Sequence, residues 1–147
     1  MLFRSIPAGA FEGCVNLEKV TFPEDIEYVG KDAFKGTKWL ENISNGNLGE
    51  GEQGTLINDI YVIKGKALFY VGIKESLVLY EDTAITTFTK STFEGSTVKV
   101  IYAYFTNPAL VTIADGAFDS IEEIWVPEEL LEVYRTAWSS VALKIVC

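Results

Sequence analysis

The apolar positions of this chain recur in one frame. Ala10-Phe11, Ala33-Phe34, Thr92-Phe93 and Ala117-Phe118 each close an apolar–x–x–apolar–x–x–x–x–Phe pattern. Five positions before each phenylalanine stand Ile6, Val29, Phe88 and Ile113; eight before stand Phe3, Ile26, Ile85 and Leu110. Successive phenylalanines are 23, 59 and 25 residues apart. A period near 23 marks stacked units, because each unit alone leaves an apolar face uncovered. The pattern therefore predicts a solenoid with one core phenylalanine per unit.

The residues after each phenylalanine predict a strand. In the first unit Leu17, Val20 and Phe22 are followed by Pro23. Val20 and Phe22 share one face of a strand and Thr21 takes the other. Pro23 ends it, since proline cannot donate to a ladder. Ile121, Ile124, Val126 and Pro127 repeat this spacing, and Val98–Ala103 takes the same place in the third unit. In the second unit Leu40 and Ile43 align with Leu17 and Val20. Stacked strands put Thr21, Tyr102 and Trp125 in one outward row, with Lys19, Val100 and Glu123 in a second.

Between the second and third units the frame is interrupted. Residues 44–54 are polar and glycine-rich and read as an exposed loop. Ile60–Ile63, a turn at Lys64-Gly65-Lys66 and Ala67–Val71 read as a β-hairpin, with a further strand at Leu77–Tyr80. Residues of about 45–80 are thus an expected insertion. After Pro127, Leu130, Tyr134, Trp138 and Val141 follow at helical spacing, behind Glu128 and Glu129, which suit a helix N-terminus. A helix over about 128–140 is expected to close the stack, within a cap of about 128–147. The whole chain, 1–147, reads as one domain.

The stretch 6–23, written Ile-x-x-x-Ala-Phe-x-Gly-Cys-x-x-Leu-x-x-Val-x-Phe-Pro, resembles the repeat of the BspA-like leucine-rich repeat proteins. Ala33-Phe34-Lys-Gly36 and Ala117-Phe118 carry the same signature, and residues 126–138 resemble the way such chains end. The resemblance covers about 1–44 and 81–140; the third unit departs from it, with Thr92 in place of alanine. It implies a leucine-rich-repeat-like α/β solenoid, β-rich with short helical turns, an inserted β-hairpin and a C-terminal helical cap. It also implies a secreted or cell-surface protein concerned with adhesion and host-protein binding.

Composition narrows the function classes. At 147 residues and 48% apolar content the chain suits one domain with a core. A net charge of −9 opposes binding to nucleic acid or anionic membrane surfaces, both of which need clustered cations. No apolar run is long enough for a membrane-spanning helix. The opening Met1–Ser5 has no signal-peptide pattern and Phe3 already belongs to a repeat, so a longer parent chain is expected. Cys14 and Cys147 form neither a disulfide framework nor a metal knuckle; Cys14 is expected to be buried and Cys147 is terminal.

Candidate chemistry is sparse. The chain has no histidine, which removes His-based nucleophilic catalysis and the commonest metal ligand. Gly49-Glu-Gly-Glu-Gln-Gly54 spells G-x-G-x-x-G but lacks a strand before it and a helix after it, and its glutamates repel phosphate. Carboxylate pairs at Glu24-Asp25, Glu81-Asp82, Glu122-Glu123 and Glu128-Glu129 read as solvated surface. Asn42-Ile-Ser44 is a glycosylation sequon if the chain enters a eukaryotic secretory pathway. The sequence thus predicts a non-enzymatic, protein-binding module with no cofactor or metal, and the resemblance implies that it is adhesin-like. Its candidate binding residues are Thr21, Tyr102, Trp125, Lys19 and Glu123. A carbohydrate-binding surface, with Tyr102 and Trp125 stacked on sugar rings, and a spacer without a ligand are the alternatives.

Overall fold

A computed structural model describes residues 4–80 and 84–147; Phe3 and the Glu81-Asp82 pair lie outside them. The strands are β1 (Ser5–Ile6), β2 (Tyr28–Val29), β3 (Thr55–Ile57), β4 (Ile60–Ile63), β5 (Lys66–Tyr70) and β6 (Ser76–Tyr80). They continue with β7 (Thr87–Phe88), β8 (Val100–Tyr104), β9 (Thr112–Ile113), β10 (Glu123–Trp125) and β11 (Ile145–Val146). The α-helices are α1 (Lys38–Ser44) and α2 (Leu131–Ala137).

These strands form three sheets, and that arrangement corrects the expected solenoid. β1 and β2 make a parallel pair; β6, β8, β10 and β11 make an all-parallel sheet; β3, β4, β5, β7 and β9 make a mixed sheet. The protein is a small mixed α/β domain with few helices. Two features break the expected single stack. The first is α1, which lies where the repeat frame aligns Ile43 with Val20. Thr37 caps it by accepting from the Leu40 N–H at 3.1 Å, and Trp39 and Ile43 turn into the core. The second is the hairpin. It is not set outside the sheets: β5 pairs antiparallel with β4 on one side and parallel with β7 on the other.

The hairpin is also a wall between two cores. Ile60, Val62 and Ala67 pack into one apolar cluster with Phe88, Phe93, Phe118 and Ile124. Tyr61, Ile63 and Leu68 face the other, with Phe22, Ile26, Phe34 and Trp39. Both faces of β4 are buried, which is why it is apolar at every position. Lys64 and Gly65 have φ of 48° and 82°, the left-handed pair that a two-residue hairpin turn of matching twist requires.

Three side chains depart from the repeat reading. Phe34, Phe93 and Phe118 are buried, but Phe11 is 42% exposed, with one ring face stacked on Phe34. Leu110 and Cys14 are also exposed rather than core. Thr92 has a physical reason for replacing alanine: its Oγ1 donates to the Ala67 carbonyl at 2.6 Å. Ser91 Oγ donates to the Leu68 carbonyl and accepts from the Val29 N–H. These buried hydroxyls join β2, β5 and the turn after β7, so each polar group there has a partner.

The C-terminal region closes one end of the larger core. α2 is shorter than the expected helix and is flanked by 3-10 turns at Glu128–Leu130 and Ser139–Lys144. Trp138 is buried among Phe105, Phe118 and Tyr134, and its Nε1–H donates to the Pro108 and Val111 carbonyls. Tyr134 donates its hydroxyl proton to the Phe105 carbonyl and accepts from the Phe105 N–H. Beyond these turns β11 pairs with β10.

Candidate functional site

The all-parallel sheet presents the most distinctive surface of the molecule. Its strands alternate strictly: Leu77, Leu79, Ile101, Ala103 and Ile124 face inward, and the residues between them face out. The register places Val78 beside Tyr102 and Tyr102 beside Trp125. Tyr80 lies beside Tyr104, and Ser76, Val100 and Glu123 form a third line. One face therefore gathers three tyrosines, a tryptophan and two valines. Tyr80 is 56% exposed, Tyr104 46%, Val78 39%, Trp125 37% and Tyr102 36%.

The aromatic rings are ordered against one another. Tyr80 and Tyr104 are near-parallel with centroids 5.6 Å apart, and Tyr102 and Trp125 are near-parallel at 6.5 Å. These are offset arrangements, which are favoured over a full sandwich and leave part of each ring open. The Trp125 Nε1–H donates to Glu123 Oε2 at 2.7 Å, which fixes the indole over its own strand. Trp125 stays partly exposed, whereas Tyr134 of α2 is fully buried in the larger core.

The sequence-predicted residues divide into two groups. Tyr102, Trp125 and Glu123 meet on this face. Thr21 and Lys19 do not, because their segment belongs to none of the three sheets. They instead line a groove against α1 and the loop at 47–52. Tyr80, Tyr104 and Val78 belong to the face but escape a reading of the repeat. The signal for Val78 and Tyr80 was the alternation of Leu77-Val-Leu-Tyr80, which the sequence presents inside the supposed insertion and far from Tyr102; Tyr104 continues the alternation one residue past Ala103.

The remaining candidates are structural. The Gly49–Gly54 loop leads into β3, not a helix. Its Glu52 turns inward and accepts from Trp39 Nε1–H at 3.1 Å and from the Tyr61 hydroxyl. Burial first, and then the Glu52 carboxylate, hold the Tyr61 phenol well above the usual tyrosine range. The Tyr28 phenol is raised to about 12, by burial first and then by its hydrogen bond to Glu94. Glu24 pairs with Lys64 and Asp25 with Arg4 at the surface. Among the described residues no three His, Cys, Asp or Glu side chains gather as a metal site, and no helix is long and apolar enough to cross a membrane. The chain matches no family model, no curated protein and no solved structure.

Proposed function

We propose that the protein is a non-enzymatic binding module that docks a protein partner on the aromatic face of its all-parallel sheet. The observation that carries this reading is the exposure of Tyr80, Tyr102, Tyr104 and Trp125 on one face in a fixed register. Exposed aromatics of this kind supply large contact area with few rotamers to freeze, and they dominate binding energy at protein interfaces. A rigid sheet holds them in place without the partner, which lowers the ordering cost of association. An adhesin-like role outside the cell rests on the resemblance of 6–23 to the BspA-like repeat and on nothing else.

A second reading is carbohydrate binding. It is favoured by the two near-parallel ring pairs, since offset rings leave open faces on which sugar rings stack. A panel of extracellular matrix proteins and a glycan array, probed with the same labelled chain, separate the two. The double variant Tyr102→Ala with Trp125→Ala should weaken protein binding about 30-fold or more, the loss of about 2 kcal/mol typical of an anchor. Its melting temperature should stay near that of the parent. Glycan binding lost in the same variant favours the sugar reading. Empty results on both panels favour a spacer. A large drop in melting temperature shows that the two rings serve packing.

A further inference from the structure

Glu18–Thr21 carries the strand pattern without a strand partner. The segment is neither helix, turn, bend nor paired strand. From Lys19 to Phe22 its residues run exposed, half-buried, exposed and buried, the alternation of an extended chain. Among the described residues no hydrogen bond reaches the backbone of Glu18, Lys19, Val20 or Thr21.

At Phe22 the missing partner is supplied by a side chain. The Phe22 N–H donates to Gln53 Oε1 at 2.6 Å, and Gln53 Nε2 donates to the Phe22 carbonyl at 2.9 Å. One carboxamide thus mimics a single rung of a neighbouring strand. In an extended chain the N–H and C=O of alternate residues point to the same side. Val20 and Glu18 therefore direct their free N–H and C=O groups to the side where Gln53 stands. Just after β10 the residue matching Phe22 faces the β11 side: the Val126 N–H donates to the Val146 carbonyl at 2.9 Å. Beside 18–21 no strand takes that place. A groove of about 550 Å³ lies there instead, with Trp39 and Ile43 of α1 and the loop at 47–52 along its other sides.

We propose that this edge receives a short basic peptide, in extended conformation, as an added β-strand continuing the rung that Gln53 begins. Unpaired strand edges are templates for such addition, with main-chain bonds giving affinity and flanking side chains giving selectivity. The groove lining is acidic and suits cations: Glu18 and Glu50 line it, with Glu52 behind them bonded to Trp39 and Tyr61, against Lys19 as the one cation in the lining. Its apolar component, Leu48 and the α1 side chains, suits an apolar residue between the basic ones. This groove shares no residue with the aromatic face, so the proposal stands apart from the function proposed above.

The probe is an end-blocked hexapeptide alternating lysine and valine, labelled for fluorescence anisotropy. Saturable binding should appear, and amide hydrogen exchange at Glu18 and Val20 should slow about tenfold or more on saturation. The glutamate-for-lysine peptide should bind at least about tenfold more weakly, as should one of two versions N-methylated on alternate amides. The double variant Glu18→Lys with Glu50→Lys should weaken binding about tenfold at unchanged melting temperature. The Tyr102→Ala, Trp125→Ala variant should bind the peptide as the parent does. The proposal is overturned if no saturable binding appears, if both N-methylated peptides bind like the parent peptide, or if exchange at Glu18 and Val20 does not change. A concentration-dependent dimer that protects those amides without peptide would assign the edge to a second copy and overturn the basic-peptide assignment.

Discussion

Residues 17–22 and 121–126 carry the same apolar spacing and are each followed by a proline, Pro23 and Pro127, yet they meet different neighbours. In the C-terminal copy Ile124 is fully buried, and β10 is flanked by β8 and β11. In the N-terminal copy Val20 is only half-buried, and the neighbour is a helix and a loop. The alternation of apolar residues decides which side chains turn inward. It does not decide whether the backbone is paired, because pairing depends on what the rest of the chain brings alongside. Here Thr37 caps a helix beside one copy, while Lys144 leads into β11 beside the other.

The comparison can be tested by removing one support at a time. The largest loss is expected at Trp138, which closes the core behind β10. Trp138→Ala should cost about 3–5 kcal/mol in chemical denaturation. A value near 1 kcal/mol would mean that the C-terminal copy does not need its cap. Next come the paired positions themselves. Ile124→Ala should cost about 2–5 kcal/mol and Val20→Ala about 1 kcal/mol, since half-buried methyl groups lose less transfer energy and leave a smaller cavity. Equal losses would erase the distinction between the copies.

Smaller than the Ile124 loss is the effect of removing the side chain that stands in for a strand. Gln53→Ala leaves the N–H and C=O of Phe22 without their partner and should cost about 1–2 kcal/mol. No change on denaturation would show that water replaces the amide. The last test is read from the slope of stability against pH in the alkaline range. An unfolded tyrosine ionises near 10.0, whereas Tyr61 in the fold is held protonated above that. Its contribution is therefore fully present below about pH 10 and is lost as pH rises through the alkaline range. Tyr61→Phe should flatten that alkaline decline in melting temperature, and an unchanged slope would place its origin elsewhere.

Much of the local structure was legible in the sequence and the assembly was not. The inward and outward rows at 98–103 and 121–126 follow from alternation alone, and the hairpin turn follows from Lys64-Gly65. Helix α1 was hidden because Trp39, Leu40 and Ile43 satisfy helical spacing while Leu40 and Ile43 also fit the repeat frame. The sheet order was hidden because β5 joins β7 across a gap that the repeat period treats as inserted. Tyr80 and Tyr104 escaped notice for the same reason: no spacing rule places β6 beside β8. Thr92 looked like a lapse in the repeat, and its hydroxyl is a buried donor whose acceptor lies 25 residues away in the hairpin.

The β4–β5 hairpin has a consequence for how the molecule comes apart. Alternate residues of one strand belong to different cores, so neither core can open while the other keeps its wall intact. The domain should therefore unfold as one cooperative unit despite having two apolar clusters. A probe in the N-terminal cluster and a probe in the C-terminal cluster should report the same midpoint. The amides of Tyr61 and Val62 should be among the last to exchange, opening only when the entire chain does.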